Sequence, residues 1–80
     1  MEYLGRQLTR LGLEHVPSQA NFILVKVGNG DEVFKRLLLQ AVIVRPMRVY
    51  QFPEHVRVTV GLPEENQRFI AALERTIQAA

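Results

Sequence analysis

A strand-length run of β-branched and aromatic residues, Asn21–Val27, most strongly limits the folds open to this chain. It is bounded by Gly28-Asn29-Gly30, a cluster typical of strand ends. The apolar residues that follow have helical spacing and predict a helix ending near Gln40: Val33, Phe34, Leu37 and Leu38. Asn29 and Glu32 stand at capping-box spacing before that stripe, although Ser or Thr is the usual cap. A strand followed by a helix predicts a βαβ start.

Two further helices are predicted near the ends of the chain. Between Tyr3 and Leu13 the apolar residues recur at spacings of four and three, and Gly12 is placed to end the helix. Pro63 suits the first position of a C-terminal helix, where Glu64 and Glu65 complement the helix dipole. The predicted buried stripes are Leu4, Leu8 and Leu11 in the first helix and Phe69, Ile70, Leu73 and Ile77 in the last.

Two more strands complete the prediction. Val42–Val44 reads as a short buried strand that stops where Arg45 precedes Pro46, because proline cannot donate to a β-ladder. Val56–Val60 alternates valine with Arg57 and Thr59, so Arg57 should point away from the valines. His15–Ser18 has the composition of a turn. The element order is α-β-α-β-β-α, which predicts an α+β fold with helices packed on a small mixed sheet of three strands, in two layers.

The composition is that of one ordinary globular domain covering residues 1–80, with 48% apolar residues. A net charge of +2 is too small to indicate a nucleic-acid or membrane partner. There is no cysteine, and His15 and His55 lie in separate turn-like stretches, so no metal site is predicted. No apolar run is long enough for a bilayer span and Met1-Glu2-Tyr3 does not begin a signal peptide, so we expect a cytoplasmic protein.

Two arginines, Arg45 and Arg57, frame the loop between the last two predicted strands. If these strands pair as antiparallel neighbours, both arginines lie at the loop end of the sheet, where like charges repel unless an anion lies between them. Two planar guanidinium groups can hold a carboxylate or phosphate bidentately. The alternative is that each side chain reaches water or pairs with an acid such as Glu54. In the loop, Tyr50 and Phe52 could touch a substrate or anchor the loop on the sheet.

Four segments together resemble the C-terminal small domain of the histidinol-phosphate aminotransferases, which are pyridoxal-phosphate enzymes of fold type I. They are Ser18–Val25, Val42–Pro46, Val56–Gly61 and Pro63–Asn66, and the similarity covers nearly the whole chain. The resemblance implies a fragment of a larger, homodimeric aminotransferase of histidine biosynthesis, which exchanges an amino group between glutamate and histidinol phosphate. The chain would then be the substrate-binding small domain, packed against the large domain of the same polypeptide.

The same resemblance implies roles for individual residues. Arg57 looks like the arginine that binds the α-carboxylate of glutamate, and with Arg45 it would hold the phosphate of histidinol phosphate. Asn21 resembles an asparagine close to the domain interface, although a polar residue satisfying backbone groups at a strand start is an equal alternative. Tyr50 is a further candidate contact at the interface or substrate.

Cofactor chemistry is implied to belong to the preceding large domain. The Schiff-base lysine, the acid facing the pyridine nitrogen and the phosphate cup of pyridoxal phosphate have no counterpart here. Lys26 lies within a predicted strand and Lys35 on a predicted helix, and both read as surface charges. No catalytic, cofactor-binding or metal-binding residue is therefore predicted in this chain, and the isolated fragment should be inactive.

The sequence departs from the family pattern at three positions. Glycine is usual where Val49 stands and frequent where Gln51 stands, and a threonine is common where Leu62 precedes the last helix. Two alternative functions stay open: the small domain of another class I/II aminotransferase, acting on a different phosphorylated or aromatic substrate, and a stand-alone α+β module that binds anions or RNA.

Overall fold

Three helices cover one face of a four-stranded sheet in the computed structural model, which describes residues 2–19 and 21–79. The helices are α1 (Glu2–Arg10), α2 (Gly30–Leu38) and α3 (Pro63–Ala79), the strands are β1 (His15–Gln19), β2 (Phe22–Lys26), β3 (Arg45–Pro46) and β4 (His55–Thr59), and a single 3₁₀ turn covers Arg48–Tyr50. Within the described ranges, no helix is both long and apolar enough to cross a membrane.

The strands lie in the order β1-β2-β4-β3, and every neighbouring pair is antiparallel. Because β2 and β3 both run antiparallel to β4, they are parallel to each other with β4 between them. The predicted βαβ start is therefore present as a unit split by a later strand. The α+β, two-layer prediction is confirmed, whereas the sheet is four-stranded and antiparallel where a mixed sheet of three strands was expected.

The additional strand is β1, so the turn predicted for His15–Ser18 is wrong. β1 is an edge strand that pairs with β2, and its register shifts between Pro17 and Gln19. Proline is tolerated at an edge because its missing N–H leaves no ladder bond broken on the solvent side. Composition alone could not distinguish this edge strand from a turn.

The predicted strand Val42–Val44 is wrong in extent, since only Arg45 and Pro46 join the ladder with β4. Val42 and Val44 are nevertheless buried in the core. The apolar pattern therefore predicted the burial of Val42 and Val44 correctly, but a buried segment need not pair as a strand. The bond that begins this segment is local: Val42 N–H donates to the Leu37 carbonyl at 2.9 Å, closing the end of α2.

The core lies between the helices and one face of the sheet. Alternate residues of β2 and β4 point into it, as the period-two pattern predicts: Ile23, Val25, Val56 and Val58. The helices contribute the matching apolar side chains: Leu4 and Leu8 from α1, Val33 and Leu37 from α2, and Phe69, Ile70, Ala72 and Leu73 from α3. The intervening strand residues, including Arg57, lie on the opposite face of the sheet, which no helix of the described residues covers.

Helix ends follow their local chemistry. Asn29 caps α2, since its side-chain oxygen accepts from the Glu32 backbone N–H at 3.0 Å. Leu62 offers no hydroxyl before α3, but its N–H donates to Glu65 Oε1 at 2.8 Å. Asn66 adds a reciprocal pair of hydrogen bonds with the backbone of Gly61, at 3.0 and 3.2 Å. The missing family threonine is thus replaced by side chains from inside the helix.

Candidate anion site

Arg45 and Arg57 are direct partners in the β3–β4 ladder. Residues directly opposite each other in an antiparallel pair share a face, with Cβ atoms about 4.5–5.5 Å apart. The predicted juxtaposition of the two arginines is therefore confirmed. Arg57 is half-buried and Arg45 is exposed. Together they form one positively charged surface in which Arg57 is the less accessible residue.

The two arginines line an open pocket of about 520 Å³ beside β3. Thr59, two residues after Arg57 and on the same face, adds a hydroxyl group to its wall. The remaining wall is apolar and consists of Phe34, Ile43, Val44, Pro46 and Val49. Ile43 and Val49 are strongly exposed, at 79% and 81% of their surface. The pocket thus combines two positive charges and one hydroxyl group with apolar walls, and it is open to water.

Neither arginine has an acidic partner among the described residues. The ion pairs there are Arg10–Glu74, Lys26–Glu14, Arg36–Glu32 and Arg48–Asp31. The alternative in which Glu54 neutralises Arg57 therefore finds no ion pair in the described part of the chain. The two arginines oppose each other across the ladder, and among the described residues neither guanidinium group has a side-chain hydrogen bond or ion pair that would compete with a ligand.

One aromatic contact at this site was not anticipated from sequence. The guanidinium carbon of Arg57 lies over the Phe22 ring, 4.3 Å from the ring centroid. In the β2–β4 register Phe22 opposes Thr59 and Leu24 opposes Arg57, so the ring and the guanidinium group meet diagonally. Only this register brings the two together, and the sequence patterns define strands without defining which residues face each other.

Tyr50 and Asn21 do not line the pocket. Tyr50 ends the 3₁₀ turn and is 54% exposed. Asn21 is exposed, and its carbonyl accepts the Val60 N–H at 2.7 Å, which ties the start of β2 to the end of β4. The backbone role considered for Asn21 is thus present, while the contacts predicted for both side chains stay predictions.

The loop between the arginines is held by its own contacts. Arg48 Nε donates to Asp31 at 2.9 Å, joining the loop to the first turn of α2. Phe52 packs edge-on against His55 with ring centroids 5.5 Å apart, which supports an anchoring role for Phe52. Gln51 has φ of +70°, in the left-handed region that favours glycine, which gives a physical reason for the family's glycine at this position.

The described residues contain no group of three or more histidine or acidic side chains arranged to hold a metal ion. His15 Nδ1 lies 3.0 Å from the Leu13 carbonyl, and both histidines border a separate open pocket with Glu14. Lys26 pairs with Glu14 at 3.6 Å on the open sheet face, and Lys35 is exposed on α2. The geometry of the described residues supports anion binding at the arginine pair.

A known protein family matches most of this chain. Residues 1–73 match the family described as Aminotransferase class I and II. The chain belongs to this family. It is 52% identical over 79 residues to histidinol-phosphate aminotransferase 1 of Nitrosococcus oceani, and the match covers 98% of this chain and 21% of that protein. The resemblance found in the sequence is thereby confirmed, and this aminotransferase chain spans about a fifth of its curated relative.

Two solved structures have the same fold. A putative aminotransferase from Burkholderia pseudomallei superposes with a TM-score of 0.85 at 28% identity, covering 95% of this chain and 24% of that one. L-threonine-O-3-phosphate decarboxylase from Porphyromonas gingivalis superposes with a TM-score of 0.84 at 27% identity, covering 96% of this chain and 25% of its own. The α+β arrangement is thus shared with much longer proteins.

Proposed function

We propose that this chain is the substrate-binding small domain of a histidinol-phosphate aminotransferase. In this proposal, Arg57 binds the α-carboxylate of glutamate, and Arg57 together with Arg45 binds the phosphate of histidinol phosphate. The observation that carries the proposal is the direct pairing of the two arginines at one pocket, with no acidic partner for either among the described residues.

The chemistry of the two anions suits such a pair. A carboxylate presents two oxygens in a plane and accepts two parallel hydrogen bonds from one guanidinium group. A phosphate monoester presents three terminal oxygens and more charge, so it can engage a second guanidinium group at the same time. Arg57, the more buried of the two, would contact both substrates, while the exposed Arg45 would contribute mainly to the phosphate.

The remaining parts of the enzyme belong to the proposal as well. Pyridoxal phosphate would supply the electron sink for amino transfer, held by a large domain outside this chain. The parent is proposed to be a cytoplasmic homodimer. Neither Lys26 nor Lys35 is placed to attach the cofactor, so the 80-residue chain alone should not transaminate.

The test uses the full-length enzyme and the variants Arg57→Lys and Arg45→Ala. Arg57→Lys keeps the charge but loses the planar pair of donors. We expect kcat/KM to fall roughly 5- to 150-fold for both substrates, which corresponds to a loss of about 1–3 kcal/mol of transition-state stabilisation. Arg45→Ala should reduce kcat/KM for histidinol phosphate more than for glutamate. Arg6→Ala, on the exposed face of α1, removes the same charge at a distance from the pocket and serves as the control.

Unchanged kinetics in Arg57→Lys would remove Arg57 from the site. Equal losses for the two substrates in Arg45→Ala would refute the assignment of Arg45 to the phosphate. A loss in Arg6→Ala of the same size as in Arg45→Ala would attribute the effect of Arg45→Ala to net charge.

A related enzyme acting on another phosphorylated substrate is the second candidate. It is favoured by the structural similarity to a decarboxylase named for L-threonine-O-3-phosphate. The same arginine pair could bind L-threonine-O-3-phosphate, because that molecule carries both a carboxylate and a phosphate. Comparing kcat/KM for histidinol phosphate and for L-threonine-O-3-phosphate distinguishes the two, and a preference for the latter would overturn the first candidate.

A stand-alone anion- or RNA-binding module is the remaining alternative. It predicts that the isolated chain binds phosphate compounds or oligonucleotides tightly enough to shift its amide NMR signals. The absence of such shifts would count against it.

A further inference from the structure

The aromatic ring of Phe22 contacts Arg57, one of the two arginines that the proposed function assigns to substrate. Its ring lies under Arg57, whose guanidinium carbon is 4.3 Å from the ring centroid. The ring is half-buried on the open face of β2. The bond from Val60 N–H to the Asn21 carbonyl, at 2.7 Å, fixes the start of β2 against β4 and so keeps Phe22 in register with Arg57.

The electrostatics of the pair explain why such a contact matters. Arg45 stands directly opposite Arg57, and two like charges in this arrangement repel each other. Phe22 lies on β2, on the far side of β4 from Arg45, so an Arg57 side chain that moves away from Arg45 moves towards the ring. The negative face of the ring attracts the guanidinium group and holds it against the sheet, where it would otherwise move freely in water.

The choice of restraint is significant because it leaves the donors unused. An acidic side chain would hold Arg57 in place equally well, but it would accept the same N–H groups that a substrate anion needs. A ring contacts the flat face of the guanidinium group, while its five N–H donors project from the edge. Phe22 can therefore fix the group without competing with the ligand.

We propose that Phe22 is a positioning residue that holds the Arg57 guanidinium group against the open face of the sheet in the orientation that receives the substrate anion. This inference rests on the proposed function of Arg57. It assigns Phe22 no contact with substrate, and it predicts that the ring acts only through Arg57.

The test uses the full-length enzyme with Phe22→Leu, Phe22→Tyr, Arg57→Gln and the double variant Phe22→Leu/Arg57→Gln. Phe22→Leu keeps an apolar side chain without the ring face, and we expect kcat/KM for glutamate and for histidinol phosphate to fall about three- to tenfold, mainly through KM. Phe22→Tyr keeps the ring face and should retain kcat/KM within about twofold of wild type. In the Arg57→Gln background, Phe22→Leu should cause no further loss, because the group it positions is absent.

A second substitution separates the ring's electrostatics from its packing. A trifluorinated phenylalanine at position 22 keeps the shape of the ring but weakens the negative potential of its face. We expect KM to rise in the same direction as in Phe22→Leu. This variant decides the question if Phe22→Leu does not fold.

The outcomes separate the two proposals. If Arg57→Gln binds both substrates as well as the wild type, the proposed function fails. If Arg57→Gln is impaired but the trifluorinated ring leaves KM unchanged, the positioning role of Phe22 is overturned while the proposed function stands. A loss from Phe22→Leu that persists in the Arg57→Gln background would likewise overturn it, since the ring would then act independently of Arg57.

Discussion

Replacing Arg45 by glutamine removes one of two positive charges that β3 and β4 place directly opposite each other. In the absence of an anion, this charge pair opposes folding, because the unfolded chain lets the two groups move apart. We therefore expect Arg45→Gln to stabilise the anion-free protein, even though the same substitution should weaken anion binding.

The size of the effect follows from Coulomb's law. The Arg57 guanidinium group lies over Phe22, on the side of β4 away from Arg45. Taking about 6 Å as the shortest separation of the two charges, in a medium close to water because Arg45 is exposed, gives a repulsion of at most about 0.7 kcal/mol. Screening lowers it to about 0.6 kcal/mol at an ionic strength of about 0.01 M and to about 0.3 kcal/mol at about 0.15 M. The expected gain in the free energy of unfolding is thus at most about 0.6 kcal/mol at low salt and falls as salt is added.

The assay is urea denaturation at these two ionic strengths, with chloride or inorganic phosphate as the anion. Phosphate that binds the folded protein stabilises it by RT ln(1 + [L]/Kd), which is about 1.4 kcal/mol at ten times Kd. We expect this stabilisation in the wild type and its loss in Arg45→Gln. Arg6→Gln is the matched control, because it removes an exposed arginine on α1, away from the arginine pair.

Two results would refute the reasoning. The first is an Arg45→Gln variant less stable than the wild type at low ionic strength without phosphate. The second is equal stabilisation of both proteins by phosphate, which would mean that the anion binds elsewhere.

Three further predictions concern the scaffold. Ala41 has φ of +62°, a conformation that costs an L-residue about 1–2 kcal/mol and glycine almost nothing. Because glycine also loses about 0.5–1 kcal/mol more conformational entropy on folding, Ala41→Gly should raise the free energy of unfolding by about 0.5–1 kcal/mol in urea denaturation. A destabilised variant would refute this. Asn29→Ala removes the cap bond to the Glu32 N–H and should destabilise by about 1 kcal/mol in the same assay, whereas no change would show that water replaces the cap. The hydrogen bond from Arg10 and the positive charge of Arg10 both lower the pKa of Glu74. The pair therefore stabilises the fold fully above the ordinary carboxyl pKa, and this stabilisation is lost as the pH falls through the lowered pKa of Glu74. NMR titration of the Glu74 carboxyl should show the lowered pKa in the wild type and its return towards the ordinary range in Arg10→Gln, and an identical titration in both would contradict the assignment.

The sequence by itself determined the features that depend on neighbours a few residues apart. Asn29 caps α2 and Pro63 begins α3, because caps and first-turn preferences act within one turn of helix. The alternation in Val56–Val60 fixed which face of β4 is buried and therefore which face carries Arg57. Once antiparallel pairing across the loop was assumed, the sequence placed Arg45 and Arg57 together at the loop end of the sheet.

The tertiary structure decided what depends on how distant segments align. β1 forms a strand because it can pair with the free edge of β2, although the composition of His15–Ser18 suggests a turn. Pro17 is compatible with this position because β1 is an edge strand. The insertion of β4 between β2 and β3 made the sheet antiparallel throughout, and the β2–β4 register brought Phe22 under Arg57. Register is set by simultaneous packing of both strands against the helices, and a period-two pattern is unchanged when one strand slides by two residues along the other. For that reason the sequence could indicate both arginines of the candidate site but not the aromatic ring beneath one of them.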